Sequence, residues 1–136
     1  MTDFRRVTDD FSVSPQIGVA DVAEAARLGF TTIINNRPDG EDPAAPQSAQ
    51  IEAAAKAAGL AYVHVPVRGM PGAAEVDAVR EALEAAKGPV LAYCRSGNRS
   101  ITAWSLGQAK SGAMSRSDLV SLGRQTGYDL SGVLGG

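Results

Sequence analysis

The residues able to do chemistry gather in one stretch, Val90-Leu91-Ala92-Tyr93-Cys94-Arg95-Ser96-Gly97-Asn98-Arg99-Ser100, which holds the chain's single cysteine. The apolar run from Val90 to Tyr93 follows the helix-stopping pair Gly88-Pro89 and reads as a buried strand. The segment from Ser100 through Ala103, Trp104 and Leu106 reads as the start of a helix. A chain that turns from strand to helix through Gly97 aims several backbone N–H groups, and the positive end of the helix dipole, at one spot. Such a spot binds anions, and a thiol placed there beside Arg95 and Arg99 is drawn toward the thiolate, the form that acts as a nucleophile. Cys94 is therefore the candidate nucleophile and Arg99 the candidate anion clamp. Arg95, Ser96, Gly97, Asn98 and Ser100 complete an anion-binding loop, with a solvent-facing Arg95 the equal alternative. A lone cysteine after an apolar strand is more often a small buried hydrophobe; here the glycine and two arginines favour a reactive thiol. Arg99 either grips an anion bidentately or pairs with a carboxylate, and the first reading is preferred. Ser100 is read as the helix cap, with its hydroxyl also available to the thiolate.

These residues need elements to hold them, and the chain supplies strands alternating with helices. Thr8 to Pro15, with Phe11 and Val13 alternating, reads as a first strand. Ile17, Val22, Ala23, Ala26 and Leu28 are spaced for an amphipathic helix stopped by Gly29, before the β-branched run Phe30-Thr31-Thr32-Ile33-Ile34 of a buried parallel strand. Asn35 through Pro46 is a loop, Gln47 to Ala58 an alanine-rich helix closed by Gly59, and Tyr62 to Val67 a further strand. Val76, Val79, Leu83 and Ala86 mark the next helix, which runs into the Cys94 strand. Beyond a helix ending near Lys110, Ser115-Arg116-Ser117-Asp118 resembles a capping box, and the tail is expected to be partly helical. The alternation predicts an α/β fold with a mainly parallel sheet flanked by helices and a ligand site at the carboxyl ends of its strands, where Cys94 falls. Arg37, Asp39, Glu41 and Asp42 follow another strand end and are candidates to line the site or to supply an acid, a solvated turn being the equal alternative for Arg37, Asp39 and Glu41. His64, the only histidine, reads as a hydrogen-bonded strand residue, and Trp104 as core.

With 136 residues, 44% of them hydrophobic, the chain fits one compact domain over residues 1–136. A net charge of −2 gives no reason to expect nucleic acid as a partner. The polar N-terminus lacks the apolar core of a signal peptide, and no apolar stretch approaches the roughly 18 residues of a membrane span. A cytoplasmic location away from membranes is therefore expected, in which reducing conditions keep Cys94 free. One cysteine cannot form an internal disulfide, and no His, Cys, Asp and Glu cluster has metal-ligand spacing, so neither metal nor cofactor is expected.

The run Tyr-Cys-Arg-Ser-Gly-Asn-Arg-Ser resembles the active-site loop of rhodanese-type sulfurtransferases, and also that of cysteine-dependent phosphatases, in which the arginine lies one residue further on. Here the spacing is Cys-x4-Arg. Together with Phe11-Ser12-Val13-Ser14-Pro15-Gln16, the segment Ile33 to Glu41 and the terminal helices, the chain resembles the phosphatase-like domain family of beta-lactamase hydrolase-like proteins. That resemblance implies a cysteine-phosphatase-like, dual-specificity fold carrying a rhodanese-sized loop. Deleting one loop residue removes an N–H donor and up to about 3.5 Å of contour, which suits a smaller group than a phosphoryl in flight. A phosphatase also needs an acid for its leaving oxygen. In the phosphatase families that acid comes from the loop after the preceding strand, yet Val65-Pro66-Val67-Arg68-Gly69-Met70 has none. The leading expectation is accordingly sulfur transfer through a Cys94 persulfide, from a small anionic sulfane-sulfur donor to a thiol acceptor or cyanide. The alternative is a phosphatase with Cys94 as nucleophile, Arg99 as clamp, Asp39, Glu41 or Asp42 as acid, and a phosphorylated substrate. A third reading is a noncatalytic anion- or partner-binding domain.

Overall fold

A computed structural model describes residues 2–135. Five strands, β1 (Arg5–Thr8), β2 (Phe11–Ser14), β3 (Thr32–Asn35), β4 (Ala61–His64) and β5 (Val90–Tyr93), form one sheet in the order β1-β2-β5-β3-β4. β2, β5, β3 and β4 run parallel, and β1 pairs antiparallel with β2. The helices are α1 (Val19–Arg27), α2 (Ser48–Ala57), α3 (Ala73–Ala85), α4 (Asn98–Ser111) and α5 (Arg116–Thr126).

Every residue of β3 and β5 is buried, as expected for central parallel strands covered on both faces. Their side chains alternate between two cores. Val90 and Ala92 of β5, with Ile34 of β3, join Phe11, Val79, Ile101, Trp104 and Leu119 under α3, α4 and α5. Leu91 and Tyr93, with Ile33, join Ile17, Val22, Ile51 and Ala55 under α1 and α2. Trp104 packs in the first core, its ring stacked on Phe11 with centroids 5.1 Å apart.

The parallel register places the site. Ser14 pairs with Tyr93, Tyr93 with Asn35, and Asn35 with His64, so four strands end in one row. The loops that follow must meet along one edge of the sheet. They are also bonded to one another: Gln16 N–H donates to the Arg95 carbonyl at 3.1 Å, Asn36 N–H to the Tyr93 carbonyl at 2.8 Å, and Val67 N–H to the Asn36 carbonyl at 3.0 Å.

Several local expectations are corrected. The first strand is a hairpin, with β1 preceding β2 across Asp9-Asp10 and an irregular register between Arg6 and Thr8. β1 escapes periodicity because only Val7 of its four residues is buried, the arginines guarding an open sheet edge. The regular part of the strand from Tyr62 ends at His64, since Pro66 has no N–H for a ladder. The helix after Cys94 begins at Asn98 rather than Ser100, with Gly97 at its N-cap. The tail is not helical among the described residues; residues 131–135 form turns.

Candidate active site

Cys94 follows directly on β5 and is fully buried. The chain reverses at Gly97, whose φ of 93° lies in the left-handed region that only glycine enters without strain. A Cβ at this position would stand 2.2 Å from the Tyr128 hydroxyl, so the site excludes any side chain on steric grounds as well. This turn directs the Gly97 N–H at the Cys94 Sγ, 3.1 Å away. The first N–H groups of α4 have no acceptor within their own helix. Ser96 Oγ accepts the Asn98 N–H at 3.2 Å. Ser100 is not the cap: it lies inside α4, and its buried hydroxyl has no partner among the described residues, the thiol included.

Arg99, on the first turn of α4, is gripped on two sides. Its Nη1 donates to Glu41 Oε2 and to the Val67 carbonyl, each at 2.8 Å, and its Nη2 donates to Glu41 Oε1 at 2.7 Å. Three of the five guanidinium hydrogens are thereby used. The remaining Nε–H and second Nη2–H lie side by side on one edge, the geometry that binds an anion bidentately. The carboxylate pairing is the one observed, and the other edge of the guanidinium faces the Cys94 side of the site. Glu41 hydrogen-bonding and the neighbouring Cys94 sulfur both hold Arg99 more firmly protonated than a free arginine, Glu41 being the stronger cause.

Glu41 is also held by Arg37, whose Nε donates to Oε1 at 2.8 Å and whose Nη1 donates to Gln16 Oε1 at 2.8 Å. Hydrogen bonds from Arg99, and secondarily from Arg37, pull the Glu41 carboxyl down to about 2. Asp39 and Asp42 are committed elsewhere: Asp39 accepts the Ser48 N–H at 2.8 Å at the start of α2, and Asp42 accepts the Ala44 N–H at 3.0 Å. His64 Nε2 bonds the Arg37 carbonyl at 2.9 Å, fixing the base of this loop.

Arg37, Glu41, Asp42, Gly69, Arg95 and Arg99 line an open cleft of about 680 Å³. Of the residues singled out from sequence, the fold brings Cys94, Arg99, Arg37 and Glu41 into one network and sets Arg95 and Asp42 at the cleft wall. Ser96 and Asn98 are exposed at the loop surface, and Asp39 serves the neighbouring helix. Gln16, the Val67 carbonyl and Tyr128 belong to the site and escaped the sequence reading. Gln16 could have been suspected from its place just beyond a strand end; nothing local marks the other two. Among the described residues no group of His, Cys, Asp and Glu side chains is arranged to hold a metal ion.

A mainly parallel sheet ending on a cysteine loop that opens a helix, with an arginine on that helix's first turn, defines a cysteine-phosphatase-like domain. The sequence model for the phosphatase-like domain of beta-lactamase hydrolase-like proteins matches residues 3–111, and the chain belongs to that family. It is 39% identical over 127 residues to a beta-lactamase hydrolase-like protein of Agrobacterium fabrum, covering 92% of this chain but 29% of the relative. The chain thus spans less than a third of the length of that relative. A solved structure of a candidate phosphatase from Neisseria meningitidis superposes with a TM-score of 0.86 at 32% identity, covering 98% of this chain and 95% of the other. The fold is shared with P. aeruginosa TpbA, solved as a Cys-to-Ser form in complex with pTyr, at a TM-score of 0.67 and 20% identity over 98% of this chain and 75% of that one. These matches support the phosphatase-like class; none of the three is described as a sulfurtransferase. No helix among the described residues is long and apolar enough to cross a membrane.

Proposed function

We propose that this domain is a cysteine-dependent enzyme of the phosphatase-like class, with Cys94 as the nucleophile and Arg99 as the anion clamp, and that the group Cys94 carries is a sulfane sulfur. The observation that carries this reading is the state of the acids. Glu41, the carboxyl group nearest the clamp, is held ionised down to about pH 2 by two arginines, so it has no proton to give a leaving oxygen. Asp39 and Asp42 each accept a backbone N–H, from Ser48 and Ala44. The cleft therefore offers an anion the cations Arg37, Arg95 and Arg99, while the carboxyl paired with the clamp is held ionised.

Sulfur transfer needs no proton donor. The Cys94 thiolate attacks the outer sulfur of thiosulfate, a new S–S bond forms, and the old S–S bond breaks with its electron pair leaving on sulfite. The free edge of Arg99 is shaped to hold the sulfonate oxygens during that step. An acceptor thiolate or cyanide then takes the outer sulfur and returns the Cys94 thiolate. The Cys-x4-Arg spacing supports the same reading, because the shorter cradle fits a compact group.

Phosphate-ester hydrolysis is the second reading, and family membership and the Neisseria meningitidis structure favour it. TpbA, in complex with pTyr, indicates the substrate class such chemistry would take. Intact mass separates the two. Incubation with thiosulfate should leave the protein heavier by one sulfur, reductant should remove it, and Cys94→Ser should never acquire it. Ready hydrolysis of aryl phosphates with no sulfur adduct would replace sulfur transfer with phosphatase chemistry.

A further inference from the structure

The stretch that matches the family ends at residue 111, yet one residue far beyond it reaches the cysteine loop. Tyr128 follows Gly127, the left-handed residue that ends α5. Its hydroxyl donates to the Ser96 carbonyl at 2.7 Å. The Ser96 carbonyl and the Gly97 N–H belong to the same peptide unit, and in a trans peptide these two groups point in opposite directions. The carbonyl side of that unit is held by Tyr128, while its N–H side donates to Cys94 Sγ at 3.1 Å. Without the phenol, the Ser96–Gly97 peptide is flanked by a glycine that tolerates either orientation, and it can rotate its N–H away from the sulfur.

From this geometry we infer that Tyr128 is a positioning residue for the nucleophile: by holding the Ser96 carbonyl outward it keeps the Gly97 N–H aimed at Cys94. The inference rests on Cys94 acting as a thiolate and holds for sulfur or phosphoryl transfer alike.

The tyrosine is itself well anchored. Arg5 of β1 lies 5.2 Å from the ring centroid and donates to the Thr126 carbonyl at 3.3 Å, while Asp3 pairs with Arg5 at 2.9 Å. The Tyr128 backbone N–H bonds the Gly123 carbonyl at 2.8 Å. Burial raises the phenol above its ordinary range, so it remains a donor at neutral pH. The two ends of the chain thus converge behind the loop and fix one peptide plane.

The test is the pH–rate profile of Cys94 alkylation by iodoacetamide, which counts thiolate, in the wild type and in Tyr128→Phe. Phenylalanine keeps the ring and its contact with Arg5 and removes only the hydroxyl. The profile should move to higher pH by roughly 0.5–1 unit, lowering the rate at pH 6 about 3- to 10-fold. Leu130→Val, which loosens the same buried segment without touching the hydroxyl, should lower Tm and leave the profile in place. A Tyr128→Phe profile that superposes on the wild type's, with only Tm reduced, overturns the positioning role. A wild-type protein whose thiol alkylates no faster than free cysteine at any pH overturns the thiolate reading instead.

Discussion

Replacing Glu41 by glutamine removes one negative charge from between two arginines, and its effect on stability can be worked from the network itself. The carboxyl falls from an ordinary 4.5 to about 2 in the folded chain. That difference of about 2.5 units corresponds to a ceiling of about 3.4 kcal/mol favouring the folded, ionised form. About a third of the Glu41 side chain is exposed, at 32%, so water screens the pair and a net contribution of about 1–2 kcal/mol is expected. Because the folded value is depressed, this stabilisation is fully present above about pH 4.5 and disappears as the pH falls to about 2. Glu41→Gln should therefore unfold about 3–8 °C lower than the wild type at pH 7 and show no deficit near pH 2. Urea unfolding across that range, with a thermal scan at pH 7, measures both limits. The deficit should also shrink in high salt. A deficit that stays constant from pH 7 to pH 2 would refute the reasoning, since it would arise from lost packing rather than from the charge held by Arg99 and Arg37.

Other variants probe the loop from different sides. Arg99→Lys keeps the charge but cannot present two parallel N–H groups beside those on Glu41, so thiosulfate KM should rise about 10- to 100-fold with cooperative unfolding retained; an unchanged KM would remove the clamp from the mechanism. Gly97→Ala places a methyl group 2.2 Å from the Tyr128 hydroxyl at a φ of 93°, and should cost about 1–3 kcal/mol and most of the Cys94 reactivity; wild-type stability and alkylation rate would show that the turn is not fixed as described. Inserting one residue between Gly97 and Arg99 lengthens the cradle by up to about 3.5 Å, which should raise aryl phosphate hydrolysis relative to sulfur transfer in paired assays; a ratio that does not move would break the link between loop size and chemistry. Trp104→Ala removes the ring stacked on Phe11 and should cost about 3–5 kcal/mol in denaturant unfolding while leaving the cleft residues in place.

How much of this protein is written locally follows from the range of the forces involved. The strand Val90–Tyr93, the glycine turn and the nucleophile with its arginine lie within ten consecutive residues, and hydrophobic period and turn chemistry act over that distance, so the sequence alone determined them. The alternation that yields a parallel sheet, and with it the placing of Cys94 at a strand end, is a pattern of the same short range. The bounds of β1 were hidden because an edge strand buries one side chain and shows arginines for the rest. Glu41 was visible as a candidate, but only the tertiary structure decided that it grips Arg99, a residue 58 positions away. The Val67 carbonyl and the Ser96 peptide are backbone groups common to every residue, and what selects them is the row of strand ends and the return of Tyr128 from beyond α5. Side-chain type reveals which groups can react. Which donor meets which acceptor across dozens of residues is set by packing, because the two cores fix where each loop must cross.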